Sequence, residues 1–284
     1  MIESIPLMHV SRGSQARAVL AVARKDWLHF VRYPLNAVFR VLQPLMFLTP
    51  IYFLGKSFAS GGGNSAFAGY AGTSDFMSFV LVGALLSSYV SAVFWGMGYA
   101  LKTEMDTGVL ESNWMLPVPR TLFLVGQTVA SLAITTLTGA VLLALSWLLF
   151  GFRIDGNLLP AVAVLAPLLV SLYGFGFAFA GLVLLLRDAN TLVDVADFTV
   201  SLLSGSQFPV EVLPRLLLPL ALALPTTYGY DAVRGLLLGT RTLLPIPTEF
   251  GILLTSMVLL VTLGVIAFRL VERYCRMRGT LGTH

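Results

Sequence analysis

Long apolar stretches, each about as long as a bilayer is thick, recur along this chain and constrain its fold more than any other feature. A helix needs about 20 apolar residues to cross the hydrocarbon core. The stretches are continuous and lack the alternation that is typical of membrane β-barrel strands. They cover residues 35–54, 76–101, 122–150, 158–186, 191–208 and 250–271. The sequence therefore predicts an all-α integral membrane protein with six transmembrane helices.

The composition excludes a soluble protein. Of the 284 residues, 57% are hydrophobic and only 11% are charged, whereas soluble chains average about 45–50% and about 25%. The net charge of +4 does not indicate nucleic-acid binding. One cysteine and three scattered histidines predict neither an internal disulfide nor a metal site.

The distribution of basic residues predicts the orientation in the membrane. With the N-terminus in the cytoplasm, 13 of the 18 lysines and arginines lie on the cytoplasmic side and 5 on the other. Cytoplasmic loops of membrane proteins carry this excess of positive charge. We therefore expect a multi-pass membrane protein with both termini, residues 1–34 and 272–284, in the cytoplasm.

The segment before the first span has the pattern of a basic amphipathic helix. Arg17, Arg24 and Lys25 lie on the polar side of a helical wheel, and Trp27 lies on the apolar side. Such a helix lies in the plane of the membrane interface, with its bases toward lipid headgroups. The alternative, a soluble core helix, has no soluble domain to pack against.

Prolines interrupt the apolar stretch between the fifth and sixth spans, at positions 209, 214, 219 and 225. Irregular backbone at membrane depth is tolerated only where protein or water covers it. We therefore predict that residues 209–240 form an outer re-entrant or surface-lying helix pair. Within it, Asp231 and Arg234 are three residues apart and are expected to form an exposed ion pair of little energetic value.

The loop 102–120 is the longest on the cytoplasmic side and mixes acidic with large apolar residues. Apolar side chains on a cytoplasmic surface are typical of a docking element for a soluble partner. The alternative is a short helix that packs on its own bundle. No nucleotide site is expected in this chain, because the Gly55-Lys56-Ser57 stretch has Pro50 where a phosphate-binding loop needs glycine.

Three motifs together resemble one family. Thr107-Gly108-Val109-Leu110-Glu111 followed by Pro117-Val118-Pro119-Arg120 resembles the coupling-helix region of ABC-2 type transporter permeases. The stretch 204–214, SGSQFPVEVLP, and the stretch 225–234, PTTYGYDAVR, are similar to the outer end of that family's fifth span and to the helix that follows it. With the interfacial helix and the six spans, the resemblance covers nearly the whole chain, whose transmembrane domain is residues 35–271.

The resemblance implies a permease without its own enzymatic activity. Two copies, or one copy and a paralogue, would pair in the lipid membrane, and each would dock an ABC ATPase subunit that binds the ATP and magnesium. No cofactor is expected on this chain. The similarity to multidrug, daunorubicin-type and nodulation-factor exporters implies a drug, lipid or lipid-like glycan as substrate. The residues that would couple it to the ATPase are Asp106, Gly108, Leu110, Glu111 and Trp114.

Two acidic residues lie within the fifth predicted span. Asp194 and Asp197 share one helix face, and a carboxylate at membrane depth usually faces protein or water. They could line a translocation path or pair with Arg40, Lys102 or Arg187. They also keep two other functions open, an ion-coupled secondary transporter and an intramembrane enzyme.

Overall fold

The computed structural model describes residues 12–60, 64–99, 120–152, 156–186 and 189–277. All the regular structure within these ranges is helical. The α-helices are α1 (Arg12–Arg32), α2 (Pro34–Ser60), α3 (Asn64–Ala71), α4 (Phe76–Val93), α5 (Arg120–Phe150), α6 (Leu158–Leu186), α7 (Ala189–Leu203), α8 (Leu218–Ala223), α9 (Pro225–Leu238) and α10 (Ile246–Met277). A π-helical turn, Phe94–Tyr99, continues α4.

Five of these helices are long and apolar enough to cross a membrane. They are α2, α4 with its π-helical turn, α5, α6 and α10. The predicted all-α membrane fold is therefore confirmed, and five of the six predicted spans coincide with these helices. The remaining one, α7, has 15 residues and is shorter than a full span of about 20 residues.

The early end of α7 has a local cause. The sequence analysis extended this helix to residue 208, but the chain leaves the helix at Leu203. Gly205 has a φ of +70°, a left-handed conformation that glycine adopts without steric cost. The turn at 204–206 therefore redirects the chain toward the proline-rich segment.

The tightest helix packing joins α6 to α10. A Cβ on Gly264 would lie 1.9 Å from the carbonyl oxygen of Gly174, so the two backbones meet at a contact that admits no side chain. Small residues allow this close approach between membrane helices. Along the same helix pair, the rings of Phe177 and Phe268 are 6.2 Å apart at an edge-to-face angle of 69°.

The proline-rich segment forms two short helices, as the sequence predicts for residues 209–240. A 3₁₀ turn, Val210–Val212, precedes α8 and α9. Leu224 adopts an extended conformation between the two helices. A proline lies in the first turn of each helix, where its missing N–H has no intrahelical partner to lose.

Candidate functional site

A buried arginine holds the outer helix pair against the bundle. Arg234 on α9 is 3% exposed. Its guanidinium donates hydrogen bonds to three backbone carbonyls, those of Phe79 at 3.1 Å, Gly205 at 2.7 Å and Ser206 at 2.5 Å. The guanidinium carbon also lies 3.6 Å from the centre of the Phe79 ring, a cation–π contact. Burial lowers the pKa of Arg234 to about 9, so the group stays charged at neutral pH.

The exposed Asp231–Arg234 ion pair expected from the sequence is therefore wrong. The structure shows no ion pair between Asp231 and Arg234. Asp231 instead accepts a hydrogen bond from the backbone N–H of Leu243 at 2.5 Å. Spacing along one helix correctly placed the two side chains on one face. It could not show that this face packs on α4, because the partners of Arg234 are backbone carbonyls distant in sequence.

Several acidic groups surround Asp231. Its carboxyl group lies close enough to that of Glu249 for direct interaction, and Glu211 and Arg234 add their charges. Glu249 is fully buried, and one of its oxygens accepts a bond from the Leu244 N–H at 3.2 Å. Burial is the largest influence on Asp231 and raises its pKa above the ordinary value. A cavity of about 20 Å³ lies beside Asp231, Glu211 and Arg234.

The two carboxylates of α7 have different surroundings. Asp194 is exposed. Asp197 is partly buried and accepts two contacts from the Ser91 hydroxyl on α4, at 3.0 and 2.8 Å. Asp197 is thus held by a hydroxyl group. Of the three basic partners considered in the sequence analysis, only Arg40 lies among the described residues, and it does not pair with Asp197. Ser91 is a functional partner that the sequence analysis missed, since a serine within an apolar span carries no signal by itself.

The N-terminal helix α1 is amphipathic and leans on α5. Arg17, Arg24 and Lys25 are exposed, and the apolar side chain of Trp27 is 38% exposed. A Cβ on Gly126 of α5 would lie 2.9 Å from the carbonyl oxygen of Val19 on α1, so the two helices are in close contact. The predicted amphipathic helix is present, and its position at the membrane interface remains a prediction.

The predicted coupling residues lie outside the described residues. These are Asp106, Gly108, Leu110, Glu111 and Trp114, all in the loop 102–120. The described chain reaches this loop from both sides. On one side it ends with the π-helical turn Phe94–Tyr99, and on the other it resumes at Arg120, the first residue of α5. π-Helical turns inside α-helices are frequent near functional sites.

The described residues contain no group of three or more histidine, cysteine, aspartate or glutamate side chains placed to hold a metal ion.

Comparison with known families assigns the class of protein. The family model for the ABC-2 type transporter matches residues 17–238, which is most of the chain. The chain therefore belongs to the ABC-2 type transporter family, and it is the membrane component of an ABC transporter. The match begins within α1 and ends at the last residue of α9, so it includes both the amphipathic helix and the outer helix pair. No curated protein matches the chain.

Proposed function

We propose that this chain is the permease subunit of an ATP-driven exporter that moves a hydrophobic or amphipathic molecule across the inner membrane. The family match over residues 17–238 carries the proposal. Two copies of a separate ABC ATPase would bind ATP and magnesium and drive the cycle. The substrate class, a drug, lipid or lipid-like glycan, follows from the resemblance to multidrug and nodulation-factor exporters.

A second permease copy would cover surfaces that a single chain leaves open. The apolar window of α2 is only 11% buried. On α7, Val195 and Phe198 are 59% and 69% exposed beside the exposed Asp194. Lipid can cover the apolar side chains, but a carboxylate at membrane depth needs protein or water. This mixed face supports a path for an amphipathic substrate between two copies of the permease, or between one copy and a paralogue.

Coupling to the ATPase would run through the loop 102–120. In our proposal, Leu110 and Trp114 enter an apolar groove of the ATPase, while Asp106 and Glu111 face basic residues that fix the register. Closure of the paired ATPases would then move α4 and α5, which flank the loop, as rigid levers.

Co-purification tests the ATPase partnership. The full chain is expressed with a candidate ABC ATPase subunit, and complex formation and ATP hydrolysis are measured. We expect Glu111→Ala to lower assembly or hydrolysis by about tenfold, in line with the loss of a buried charged contact of more than about 1.4 kcal/mol. Glu211→Ala is the matched control, because Glu211 is an exposed acid at the other end of the bundle and should leave both unchanged.

Vesicles distinguish this function from ion-coupled transport. ATP and an amphipathic fluorescent dye are added to inside-out membrane vesicles that contain the complex, and accumulation of the dye inside the vesicles is measured. We expect accumulation that depends on ATP and survives dissipation of the proton gradient. Accumulation that stops with the gradient, and persists without ATP, would instead favour an ion-coupled transporter in which Asp194 and Asp197 carry the coupling ion.

A further inference from the structure

A polar cavity opens at the cytoplasmic end of the bundle, between α1, α2 and α5. Its volume is about 240 Å³, enough for several water molecules or a polar headgroup. It is lined by charged and polar side chains that include Asp26, His29, Asn36, Arg40 and Gln127. The cytoplasmic assignment rests on the orientation predicted from the distribution of basic residues.

An apolar groove adjoins this cavity. It has a volume of about 430 Å³ and is lined by hydrophobic side chains, with Thr138 as its one polar member. Phe30 lines both spaces. On α2 the groove is bordered by Val41 and Leu45, and on α5 by Val141 and Leu145. A polar compartment thus adjoins an apolar one along the same two helices.

The order and length of the two compartments follow one face of α5. Residues 127, 131 and 134 line the polar cavity, and residues 138, 141 and 145 line the apolar groove. Their spacing alternates between four and three residues, so they share one helix face. On α5 the groove extends from residue 137 to residue 145, over which the helix rises by roughly 12 Å at about 1.5 Å per residue. This length fits within half of a hydrocarbon core of about 30 Å, the depth of one leaflet.

The polar cavity presents donors and acceptors in separate groups. Arg40 is a guanidinium donor suited to a phosphate, and Asn36 adds an amide. On the acceptor side, Gln127 has a buried carbonyl oxygen with no hydrogen-bond partner among the described residues. Asp26 Oδ1 lies 3.8 Å from Lys25 Nζ, a spacing beyond hydrogen-bond distance. Acceptors of this kind suit an ammonium group with N–H donors.

We propose that the two compartments bind one phosphatidylethanolamine-type lipid of the cytoplasmic leaflet, with its phosphate at Arg40, its ammonium at Asp26 and Gln127, and one acyl chain in the apolar groove. The zwitterionic headgroup matches the two opposite charges of the cavity and satisfies the free oxygen of Gln127. Because α1 and α2 both contribute walls, the bound lipid also fixes the angle between the amphipathic helix and the first span.

Lipid binding to this site is measured by energy transfer from tryptophan to a lipid that is labelled on one acyl chain. The full chain, in detergent, is mixed with phosphatidylethanolamine that carries pyrene on one acyl chain. Its four tryptophans serve as donors, and one of them, Trp95, lies in the wall of the polar cavity. Unlabelled phosphatidylethanolamine should displace the probe at about tenfold lower concentration than phosphatidylglycerol, which lacks the ammonium. Free phosphoethanolamine and inorganic phosphate should displace it only at concentrations higher by about a hundredfold, since they lack the acyl chain.

Three variants locate the headgroup. Arg40→Gln and Asp26→Asn should each weaken binding of the labelled lipid by about tenfold, the effect of losing one charged hydrogen bond. Arg40→Lys keeps the charge and should lose about threefold or less. Arg24→Gln is the matched control, because Arg24 is an exposed base of α1 that does not line the cavity. It should change the affinity by less than about twofold.

Equal displacement by phosphatidylethanolamine and phosphatidylglycerol would overturn the proposal, since it would show no recognition of the ammonium. Displacement by inorganic phosphate at the same concentration as the lipid would also overturn it, since the site would then bind an anion without a chain. Both results come from the unsubstituted protein and do not depend on the folding of any variant. They are also independent of ATP hydrolysis, so failure of this site leaves the permease function standing.

Discussion

The two ends of the bundle differ in the space beside their buried polar groups. At one end, Arg234 donates to three carbonyls at once beside a cavity of about 20 Å³. At the other end, which the distribution of basic residues predicts to be cytoplasmic, a cavity of about 240 Å³ lies beside Gln127, whose buried oxygen has no hydrogen-bond partner among the described residues. The Arg234 end also contains buried oxygens without such a partner, on Thr240 and Glu249, but it leaves little room for a ligand. In our proposals, the first end is a fixed closure and the second is a binding surface.

Removing the guanidinium of Arg234 is the strongest way to break the outer closure. Arg234→Met leaves three buried carbonyls without their donor, and we expect a loss of about 3–5 kcal/mol in the free energy of unfolding. Thermal unfolding of the purified protein in detergent measures it. Arg215→Met is the control, because Arg215 is exposed and should change stability by less than about 0.5 kcal/mol. Equal midpoints for the two variants would contradict the role of Arg234 as a closure.

A methyl group on Gly83 attacks the same closure from α4. Its Cβ would lie 1.7 Å from the Ser206 carbonyl oxygen and 2.1 Å from Nη2 of Arg234. We expect Gly83→Ala to cost about 3 kcal/mol, because backbone rather than a flexible side chain must move. Gly139→Ala on α5 is the matched control, since its nearest neighbour is a Leu85 methyl carbon at 3.5 Å. The free energy of unfolding of that variant should rise by up to about 1 kcal/mol, because alanine has a higher helix propensity than glycine. A Gly83→Ala protein as stable as the control would contradict the close packing.

The pH dependence of stability sharpens the comparison at Asp231. Because burial raises the pKa of Asp231 in the folded protein, the folded state holds its proton more tightly than the unfolded state. Stability is therefore greatest below the ordinary pKa and falls as pH rises through the raised value. Asp231→Asn removes this loss, while its amide oxygen can still accept from Leu243. Relative to the unsubstituted protein, we expect the variant to lose less stability as the pH rises above the ordinary carboxyl pKa.

Thermal unfolding at a series of pH values measures this difference. The groups that face Asp231 are Arg234 on its own helix, Glu249 on α10 and Glu211 on the 3₁₀ turn. Glu211→Gln is the control, because Glu211 is exposed and should leave most of the pH dependence in place. An Asp231→Asn protein whose unfolding midpoint falls with pH as steeply as that of the unsubstituted protein would show that another group carries the effect.

The sequence predicts the helices of this fold better than their contacts. Five spans and the outer helix pair follow from apolar length and from the placement of prolines, which are local properties. The premature end of α7 depends on Gly205, whose φ of +70° is only one of the conformations that glycine permits. Glycine alone could not reveal whether the helix continues to Phe208, because membrane helices also contain glycine in their interiors.

The candidate site was less predictable because its partners are distant in sequence. Arg234 binds the carbonyl of Phe79 across 155 positions, and Ser91 binds Asp197 across 106 positions. Periodicity correctly identified the exposed bases of α1 and the shared face of Asp231 and Arg234. Periodicity could not show whether that face is exposed to solvent or packs against a neighbouring helix, because the spacing of three residues is the same in both cases.

The smallest expected effect tests the loose pairing at the cytoplasmic end. Lys25 Nζ is 3.8 Å from Asp26 Oδ1, and the Lys25 side chain is 63% exposed. Exposed pairs of this kind contribute about 0–1 kcal/mol, so Lys25→Gln should change the free energy of unfolding by less than about 0.5 kcal/mol, a shift in the thermal midpoint near the limit of detection. A loss above about 2 kcal/mol would mean that Lys25 holds Asp26 as firmly as Arg234 holds its carbonyls. The contrast between a closed outer end and an open cytoplasmic end would then fail at the residue assigned to the lipid ammonium.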